Sequence, residues 1–410
     1  MTRKTTIRLV PAVLVVLPVL VVAWWWFAQY SAPEGPSPTG VPAQQAVPVV
    51  LPIVAGDSPY PRGDTQLTGR CSGQLAQNYS ILWKRALGDS IPAAPVVWND
   101  TVFVGTDVGM IAAFSLSDGE PLWRVAADDA VISAPLVSSG TVYVGSMDGK
   151  LHALDARTGH HRWERQTGGE IHGSPNVVRS AAGEDSLVLV GNYDNTLLAV
   201  AASTGEFRWQ HTARHYVNGT PALFAGLVAV GSCDHSVYII DAVSGELERT
   251  VDVGGYIAAS VALDRNAVFA GTYEGAMSRI ALDTGEVLWT YRHSGDGFQA
   301  PPTVGGSQVV CGTRDGLVLS LDKESGDKVW QTRMKGPVTA GMPSCLGRIL
   351  VASEDGRLSI LDARDGRILW FEHFGSPLAE TPAVAGNRLV VTADDGQLVA
   401  LVAGIDGVEP

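Results

Sequence analysis

The sequence predicts an all-β protein, an eight-bladed β-propeller of four-stranded antiparallel blades. A segment of 20 residues ending in tryptophan recurs along the chain, as in VGSMDGKLHALDARTGHHRW (144–163). Its last position falls at 83, 123, 163, 209, 249, 289, 330 and 370, so that most steps are 40 residues. Apolar residues alternate within each period and Gly-containing turns separate them, which is typical of short strands. Such sheets bury their faces only by stacking on neighbours in a ring.

One period supplies four strands in order. The first follows a proline, as in AVISAPLVSSG (130–140), and TVYVGS (141–146) is the second. The turn MDGK leads to the third, KLHALDA (150–156), because Asp and Gly tolerate the left-handed backbone of a tight hairpin. The turn DARTG (155–159) leads to the tryptophan strand. The one step of 46 residues reflects RSAAGEDS (179–186), which lengthens the hairpin between the first two strands.

The two ends of the repeat array complement each other. The last copy, VTADDGQLVALVAGIDGVEP from residue 391, lacks a tryptophan strand, whereas YSILWKRAL (79–87) is a tryptophan strand without the other three. We therefore expect residues near 80–87 to complete the last blade and close the ring. Closure removes exposed sheet edges, which otherwise invite aggregation.

The repeated tryptophans are predicted to be structural. Small residues, mostly glycine, end each second strand and leave room for a large side chain between blades. We expect the indoles to fill this space rather than to bind a ligand. They are Trp83, Trp123, Trp163, Trp209, Trp289, Trp330 and Trp370, with Arg249 at the remaining position.

The N-terminus predicts a membrane anchor. Residues 9–28, LVPAVLVVLPVLVVAWWWFA, carry no charge and as a helix would reach ~30 Å, the thickness of the hydrocarbon core. Three basic residues precede them, which favours a cytoplasmic start, and three tryptophans stand at the far end. A cleaved signal peptide is the alternative, but small residues at its −3 and −1 positions are missing here.

The predicted organisation follows from these signals. Residues 1–8 form a cytoplasmic N-terminus, 9–28 a single-pass transmembrane signal anchor and 29–62 a proline-rich linker. Residues 63–404 form the propeller and 405–410 a tail. This order places a monomeric propeller on the extracytoplasmic, periplasmic side of the cell membrane.

Charge and cysteine content exclude several functions. Formal charge is −13, and beyond the first 30 residues 26 basic against 42 acidic residues leave −16, which repels a phosphate backbone. We therefore expect no nucleic-acid partner. Cys71, Cys233, Cys311 and Cys345 are widely spaced without a CxxC motif, so we expect structural cysteines, buried or partly paired, and no metal site. Their pairing stays open.

The repeat, roughly GxxDGxLxALDxxTGxxxW, resembles the pyrroloquinoline-quinone-like (PQQ-like) propeller repeat with its tryptophan-docking motif. The resemblance covers residues 60 to 402, including YPRGDTQLTG (60–69). That family contains quinone-dependent alcohol dehydrogenases and non-enzymatic BamB-like proteins of outer-membrane assembly. Adjacent paired cysteines and a calcium ligand set, which the resemblance implies for the enzymes, are not recognisable in this sequence. The character is therefore closer to BamB-like members, although no lipobox cysteine precedes the domain.

Two groups of residues are candidate binding sites. Eight short motifs, such as IPAAP (91–95) and LAETP (378–382), precede the first strands and are expected to surround the axis. Their polar exceptions could hold a small polar ligand or a cation: His172, Asn218, Gln299 and Glu380. A basic and aromatic group in the connections between blades suits an anionic partner or a protein loop. It consists of Arg165, His211, Arg214, His215, Tyr216, Arg292 and His293.

The sequence leaves three functions in competition. A non-catalytic, membrane-anchored scaffold that binds an envelope protein, with no cofactor and no catalytic residue, accords best with the missing cysteine pair. A PQQ-dependent oxidoreductase with calcium and a propeller that senses a small ligand at the axis are the alternatives. Because a propeller repeat specifies packing rather than chemistry, the partner is not identified.

Overall fold

The computed structural model describes residues 57–179, 185–257 and 259–404. Over these residues, 32 strands form eight four-stranded antiparallel sheets, numbered as blades 1 to 8. The predicted eight-bladed, all-β propeller is therefore confirmed. The anchor expected at 9–28 lies outside the described residues, and no helix within them is long and apolar enough to cross a membrane.

The four strand positions repeat from blade to blade, with strands β1–β32 in chain order. The first strands are β2 (Val96–Trp98), β6 (Leu136–Ser138), β10 (Asn176–Val178), β14 (Ala222–Phe224), β18 (Ala262–Asp264), β22 (Thr303–Gly305), β26 (Ser344–Cys345) and β30 (Ala383–Ala385). The second strands are β3 (Thr101–Gly105), β7 (Thr141–Gly145), β11 (Leu187–Gly191), β15 (Leu227–Gly231), β19 (Ala267–Gly271), β23 (Gln308–Gly312), β27 (Arg348–Ser353) and β31 (Arg388–Thr392). The third strands are β4 (Met110–Ser115), β8 (Lys150–Asp155), β12 (Thr196–Ala201), β16 (Ser236–Asp241), β20 (Ala276–Ala281), β24 (Leu317–Asp322), β28 (Arg357–Asp362) and β32 (Gln397–Ala403). The fourth strands are β5 (Pro121–Ala126), β9 (His161–Gln166), β13 (Phe207–Thr212), β17 (Leu247–Asp252), β21 (Val287–Arg292), β25 (Lys328–Arg333), β29 (Ile368–His373) and β1 (Tyr79–Ala86).

Blade 8 is composite. Its sheet order is β1-β32-β31-β30, so the tryptophan strand comes from the N-terminal side and the other three strands from the C-terminal side. Tyr79 lies opposite Ala403 and Trp83 opposite Ala400. The first strand of blade 1 contacts the first strands of both blade 2 and blade 8, so the ring closes through these inner strands. The predicted closure by residues 80–87 is confirmed.

The indoles fill the spaces between blades. The Trp123 ring packs on Gly159 of the next blade, where a β-carbon would come within 2.7 Å of it, and its Nε1 donates to Ala156 O at 3.0 Å. Gly159 also has φ +73°, which glycine adopts without strain. Trp83, Trp163, Trp289 and Trp330 donate to the equivalent carbonyls at 2.9–3.0 Å. Each of these five indoles thus combines apolar burial with a hydrogen bond to the neighbouring blade. Trp209 packs on Gly245 in the same way, but its Nε1 has no partner among the described residues.

Two further positions of the series differ from this pattern. Arg249, which replaces the tryptophan of blade 4, lies with Val251 against Gly285 of blade 5. Trp370 faces the composite blade, where Tyr79 packs on it with ring centroids 5.6 Å apart. An aromatic ring of β1 therefore takes the place of the glycine turn that the chain break removes.

Residues 57–78, here named the lead-in segment, run around the axis inside the ring. Inner-strand amides of successive blades donate to its carbonyls at 2.8–3.0 Å. These are Val97 to Ser58, Val137 to Pro59, Leu223 to Thr65, Leu263 to Gln66, Val304 to Thr68 and Ser344 to Gly69. Residues 58–62, which the sequence assigns to the linker, therefore contact the propeller. The segment closes the axial channel at the level of the inner strands.

A disulfide fastens the end of this segment. Cys71 bonds to Cys345 of β26, across 274 residues of sequence. Cys233 and Cys311 are free thiols, and burial raises the pKa of the Cys311 thiol. The structure thus pairs two of the four cysteines and ties the lead-in segment to blade 7.

Candidate functional site

The loop face is the end of the ring that carries the connections between blades and the turns between second and third strands. Antiparallel order places both kinds of loop at the same end. There the motifs that precede the inner strands surround an axial cavity of about 580 Å³. Pro61 and Arg62 of the lead-in segment line the same cavity. It is therefore a pocket open to the loop face and bounded below by the lead-in segment.

All four predicted axial residues line this cavity: His172, Asn218, Gln299 and Glu380. His172 Nε2 lies 3.0 Å from Glu170 Oε2. The Asn218 side-chain oxygen is buried and has no hydrogen-bond partner within the described residues. An unpaired buried acceptor costs about 1–3 kcal/mol, so this oxygen is suited to receive a donor from a bound molecule.

Arg62 is an axial residue that the sequence analysis missed. It is 6% exposed, one guanidinium nitrogen donates to Pro302 O, and the other, Nη1, has no partner among the described residues. Burial lowers the Arg62 pKa to about 9, although the nearby Asp64 carboxylate opposes this effect. The only local signal was one cation in a proline-rich stretch, YPRGD (60–64). A buried cation at the cavity base favours an anionic group.

Carboxylates crowd the side of the cavity formed by blades 7 and 8. The acidic cluster consists of Glu354, Glu380 and Asp394. Burial, and secondarily the Asp394 charge, raises the pKa of Glu380 to about 8, and burial followed by Glu354 and Asp395 raises that of Asp394. Glu354 Oε1 accepts a hydrogen bond from Thr339 at 2.8 Å. This cluster favours protons or a cation at neutral pH.

Stacked rings occupy the side formed by blades 3 and 4. His172 stacks on Tyr193 with ring centroids 3.8 Å apart and planes within 3°, and Tyr193 stacks on Tyr216 at 4.4 Å and 5°. The His215 ring meets Tyr216 edge-on at 4.3 Å. This aromatic stack joins one predicted axial residue to two predicted loop-face residues. Its central member, Tyr193, was missed.

A variable position of the repeat explains both the aromatic stack and the acidic cluster. It is the second residue after the small residue that ends each second strand, or the equivalent turn position in blades 7 and 8. It reads Asp107, Met147, Tyr193, Cys233, Tyr273, Arg314, Glu354 and Asp394. Its amide donates to the connection between blades, as in Tyr193 N to Glu170 O and Glu354 N to Pro337 O, both 3.0 Å. An alignment of the eight repeats would have drawn attention to this variable position, and so to Tyr193.

The other loop-face residues do not form one patch. His211 packs on Tyr238 at 5.2 Å, burial lowers its pKa, and its Nε2 has no partner within the described chain. The Arg214 amide donates to Asp234 Oδ2. Arg165 is the penultimate residue of β9 in blade 2, and Arg292 ends β21 of blade 5. His293 lies 3.2 Å from Asp315 Oδ1. The structure thus gathers His215 and Tyr216 into the aromatic stack and leaves the rest spread over several blades.

The cavity does not fit the quinone and calcium that the enzymes of this fold require. The disulfide joins Cys71 to Cys345 rather than two adjacent cysteines, and neither residue lines the axial cavity. Within the described residues, the one group of three metal-ligating side chains lies on blade 2, away from this cavity. We derive no catalytic step through a quinone.

With this geometry established, the chain was compared with known proteins. The family model described as outer membrane protein assembly factor BamB matches residues 75–215, 170–254, 233–337 and 314–407. The matches span the repeat array almost from end to end. The chain belongs to the BamB family. It is a PQQ-like repeat propeller of the BamB-like kind.

Individual relatives include BamB proteins and a quinone enzyme with the same fold. BamB of Burkholderia pseudomallei (strain K96243) is 30% identical over 128 residues, 30% of this chain and 33% of the relative's length. The crystal structure of BamB from Moraxella catarrhalis superimposes with a TM-score of 0.66 at 20% identity, covering 81% of this chain and 99% of that one. Quinohemoprotein alcohol dehydrogenase from Comamonas testosteroni gives 0.73 at 14% identity, covering 87% and 82%. At these identities the structural likenesses concern the fold.

Proposed function

We propose that this BamB-family propeller is a non-catalytic scaffold that binds an envelope protein through its loop face and acts in outer-membrane protein assembly. Family membership and the poor fit of the cavity to a quinone support this over an oxidoreductase. The propeller operates on the periplasmic side, tethered by residues 9–28. The name of a relative, outer membrane protein assembly factor BamB, supports this location.

The observation that carries the proposal is the aromatic surface on the loop face. Tyr216 is 39% exposed, and Tyr256 and Tyr273 are each 48% exposed on the neighbouring blades. Tyrosine is enriched at the energetic centres of protein interfaces, because a rigid ring buries a large area at little conformational cost. The stack beneath Tyr216 holds its ring in place before a partner arrives.

Site-specific photo-crosslinking in native membranes tests this surface. A photoreactive residue at position 216 should capture an envelope protein. The matched control is position 243, on a turn of blade 4 at the opposite face, where Val243 is 64% exposed. Tyr216→Ala should reduce co-purification of the captured protein about tenfold or more. Equal capture at 216 and 243, or no capture at 216, would contradict the proposal.

The tether is tested separately. Replacing residues 1–28 with a cleavable export signal should move the propeller from the membrane fraction to the soluble periplasmic fraction. The intact chain should stay with the membrane in high salt. Release of the intact chain by high salt alone would count against an anchor.

The second candidate function is recognition of a small anionic ligand in the axial cavity. The buried Arg62 Nη1, which has no partner among the described residues, is the observation that favours it. Arg62→Gln should abolish binding of such a ligand, whereas Glu380→Gln, which removes a competing negative charge, should not weaken it. A panel of small organic acids, tested by thermal shift, provides the measurement. If none stabilises the parent protein more than Arg62→Gln, this candidate fails while the scaffold proposal stands.

A further inference from the structure

We infer that blade 2 carries a binding site for a divalent transition metal, formed by His152, His161 and Glu164. The potential ligand atoms of these three side chains all lie within 4.8 Å of one another. His152 belongs to β8, and the other two belong to the adjacent strand β9. The site is remote from the axial cavity and is independent of the proposed scaffold function.

A β-bulge brings the three side chains to one face of the sheet. His152 lies opposite Glu164, whereas Leu154 lies opposite His161, and the register shifts between these pairs. Without the extra residue of the bulge, side chains three apart on a strand would point to opposite faces. The bulge therefore allows His161 and Glu164 to converge on His152.

His152 is prepared as a ligand. Its side chain is 3% exposed, its Nε2 lies 3.1 Å from Ser146 Oγ, and its Nδ1 has no hydrogen-bond partner among the described residues. Ser146 Oγ donates its own hydrogen towards Asp148 Oδ1, so it accepts from His152 Nε2–H. This tautomer leaves the lone pair on Nδ1, which faces Glu164 Oε2 at 4.0 Å. Such an outer hydrogen bond typically orients metal-binding histidines.

The charges around the site also suit a cation. Lys150 Nζ lies 2.5 Å from Asp128 Oδ2 but 3.9 Å from Glu164 Oε1, so its closer ion pair is with Asp128. Glu164 is therefore free to turn to a metal. Asp148, within hydrogen-bond reach of Ser146, adds a second nearby carboxylate.

Two imidazoles and one carboxylate favour Zn²⁺ or a similar divalent ion. Imidazole suits zinc, copper and nickel, and three protein ligands leave one tetrahedral position for water. A bound ion would link the third and fourth strands of blade 2. The role that follows is a clamp on the outer edge of this blade.

Isothermal titration of the full-length protein with Zn²⁺ tests the site. We expect one ion per chain, with affinity reduced about tenfold or more in His161→Ala and in Glu164→Gln. Both residues are exposed, so neither change threatens the fold. His160→Ala is the matched control, because this exposed neighbour offers the same chemistry outside the cluster, and it should bind as the parent does.

A second measurement reports geometry. Co²⁺ bound at this site should give the visible absorption of a four-coordinate nitrogen and oxygen site, lost in Glu164→Gln and retained in His160→Ala. Ser146→Ala should weaken Zn²⁺ binding, because it removes the hydrogen bond that keeps the proton of His152 on Nε2. No Zn²⁺ binding, or equal binding by the parent, His161→Ala and Glu164→Gln, would overturn the inference.

Discussion

The two sides of the axial mouth share one backbone and carry opposite chemistry. On one side His172, Tyr193 and Tyr216 stack with neighbouring ring centroids 3.8–4.4 Å apart. On the other side, burial and neighbouring carboxylates raise the pKa of Glu380 and of Asp394. Tyr193 and Glu354 occupy the same position of the repeat and make the same backbone hydrogen bond to the connection between blades. The difference therefore comes from side chains alone.

This comparison distinguishes the repeat positions that pack the blades together from the position that forms the axial mouth. The positions that pack blades together, such as the indoles and the glycines they contact, keep their residue type almost everywhere. The repeat position that holds Tyr193 and Glu354 varies from blade to blade. It lies on the loop face, outside the packing between sheets. Function in a repeat ring is therefore to be sought where the repeats disagree.

Removing the central ring of the aromatic stack should have the largest effect. Tyr193→Ala deletes two stacking contacts, each worth about 0.5–1.5 kcal/mol beyond area burial, so we expect a loss of about 2–3 kcal/mol in the free energy of unfolding. Urea denaturation measures it. Tyr273→Ala, at the same repeat position but half exposed, should change the free energy of unfolding by less than about 0.5 kcal/mol. Equal losses would mean that the stack is not the difference between the two blades.

On the acidic side, ionisation of Glu380 should lower the free energy of unfolding as pH rises. The pKa of Glu380 is about 8 in the folded protein, against 4.5 ordinarily, so the folded state binds the extra proton between these values. Stability then falls as pH rises from 4.5 to 8. Glu380→Gln should remove about 1–2 kcal/mol of this fall, less than the full shift implies because water reaches the cavity.

Urea midpoints at pH 5 and 8 measure this response. The exposed Glu286→Gln should follow the parent at both values. The prediction would be wrong if the parent protein were as stable at pH 8 as at pH 5 and Glu380→Gln changed neither value. Ionisation of Glu380 would then not destabilise the folded state.

The smallest effect is expected in acid at His211, which lies on the outer strand of blade 3. Burial lowers the pKa of His211, so the folded state binds fewer protons than the unfolded one below about pH 6.5 and loses stability as pH falls. His211→Phe keeps the ring packed on Tyr238. It should reduce the loss in the free energy of unfolding by less than about 1 kcal/mol, because the His211 ring is partly exposed. The exposed His160→Phe provides the control. Equal losses of stability by His211→Phe and the parent between pH 7 and 5 would contradict this prediction.

The blade count, the strand order and the composite closure could be predicted from the residues alone. These features depend on alternation within strands and on a spacing of about 40 residues, both of which are local, and Trp83 without its own blade implied a partner at the other end. The axial set was also predictable as a group, because its motifs precede inner strands that must surround the axis.

Which residues come together in the candidate sites could be determined only from the folded ring. Arg62 reaches the cavity, Cys71 meets Cys345, and Tyr193 joins His172 to Tyr216 because the ring's curvature brings together connections from different blades. No local pattern encodes that curvature, since it is the sum of eight packing angles between sheets. The bulge that turns His161 towards His152 is equally hidden, because one extra residue in a strand reverses which face a side chain takes.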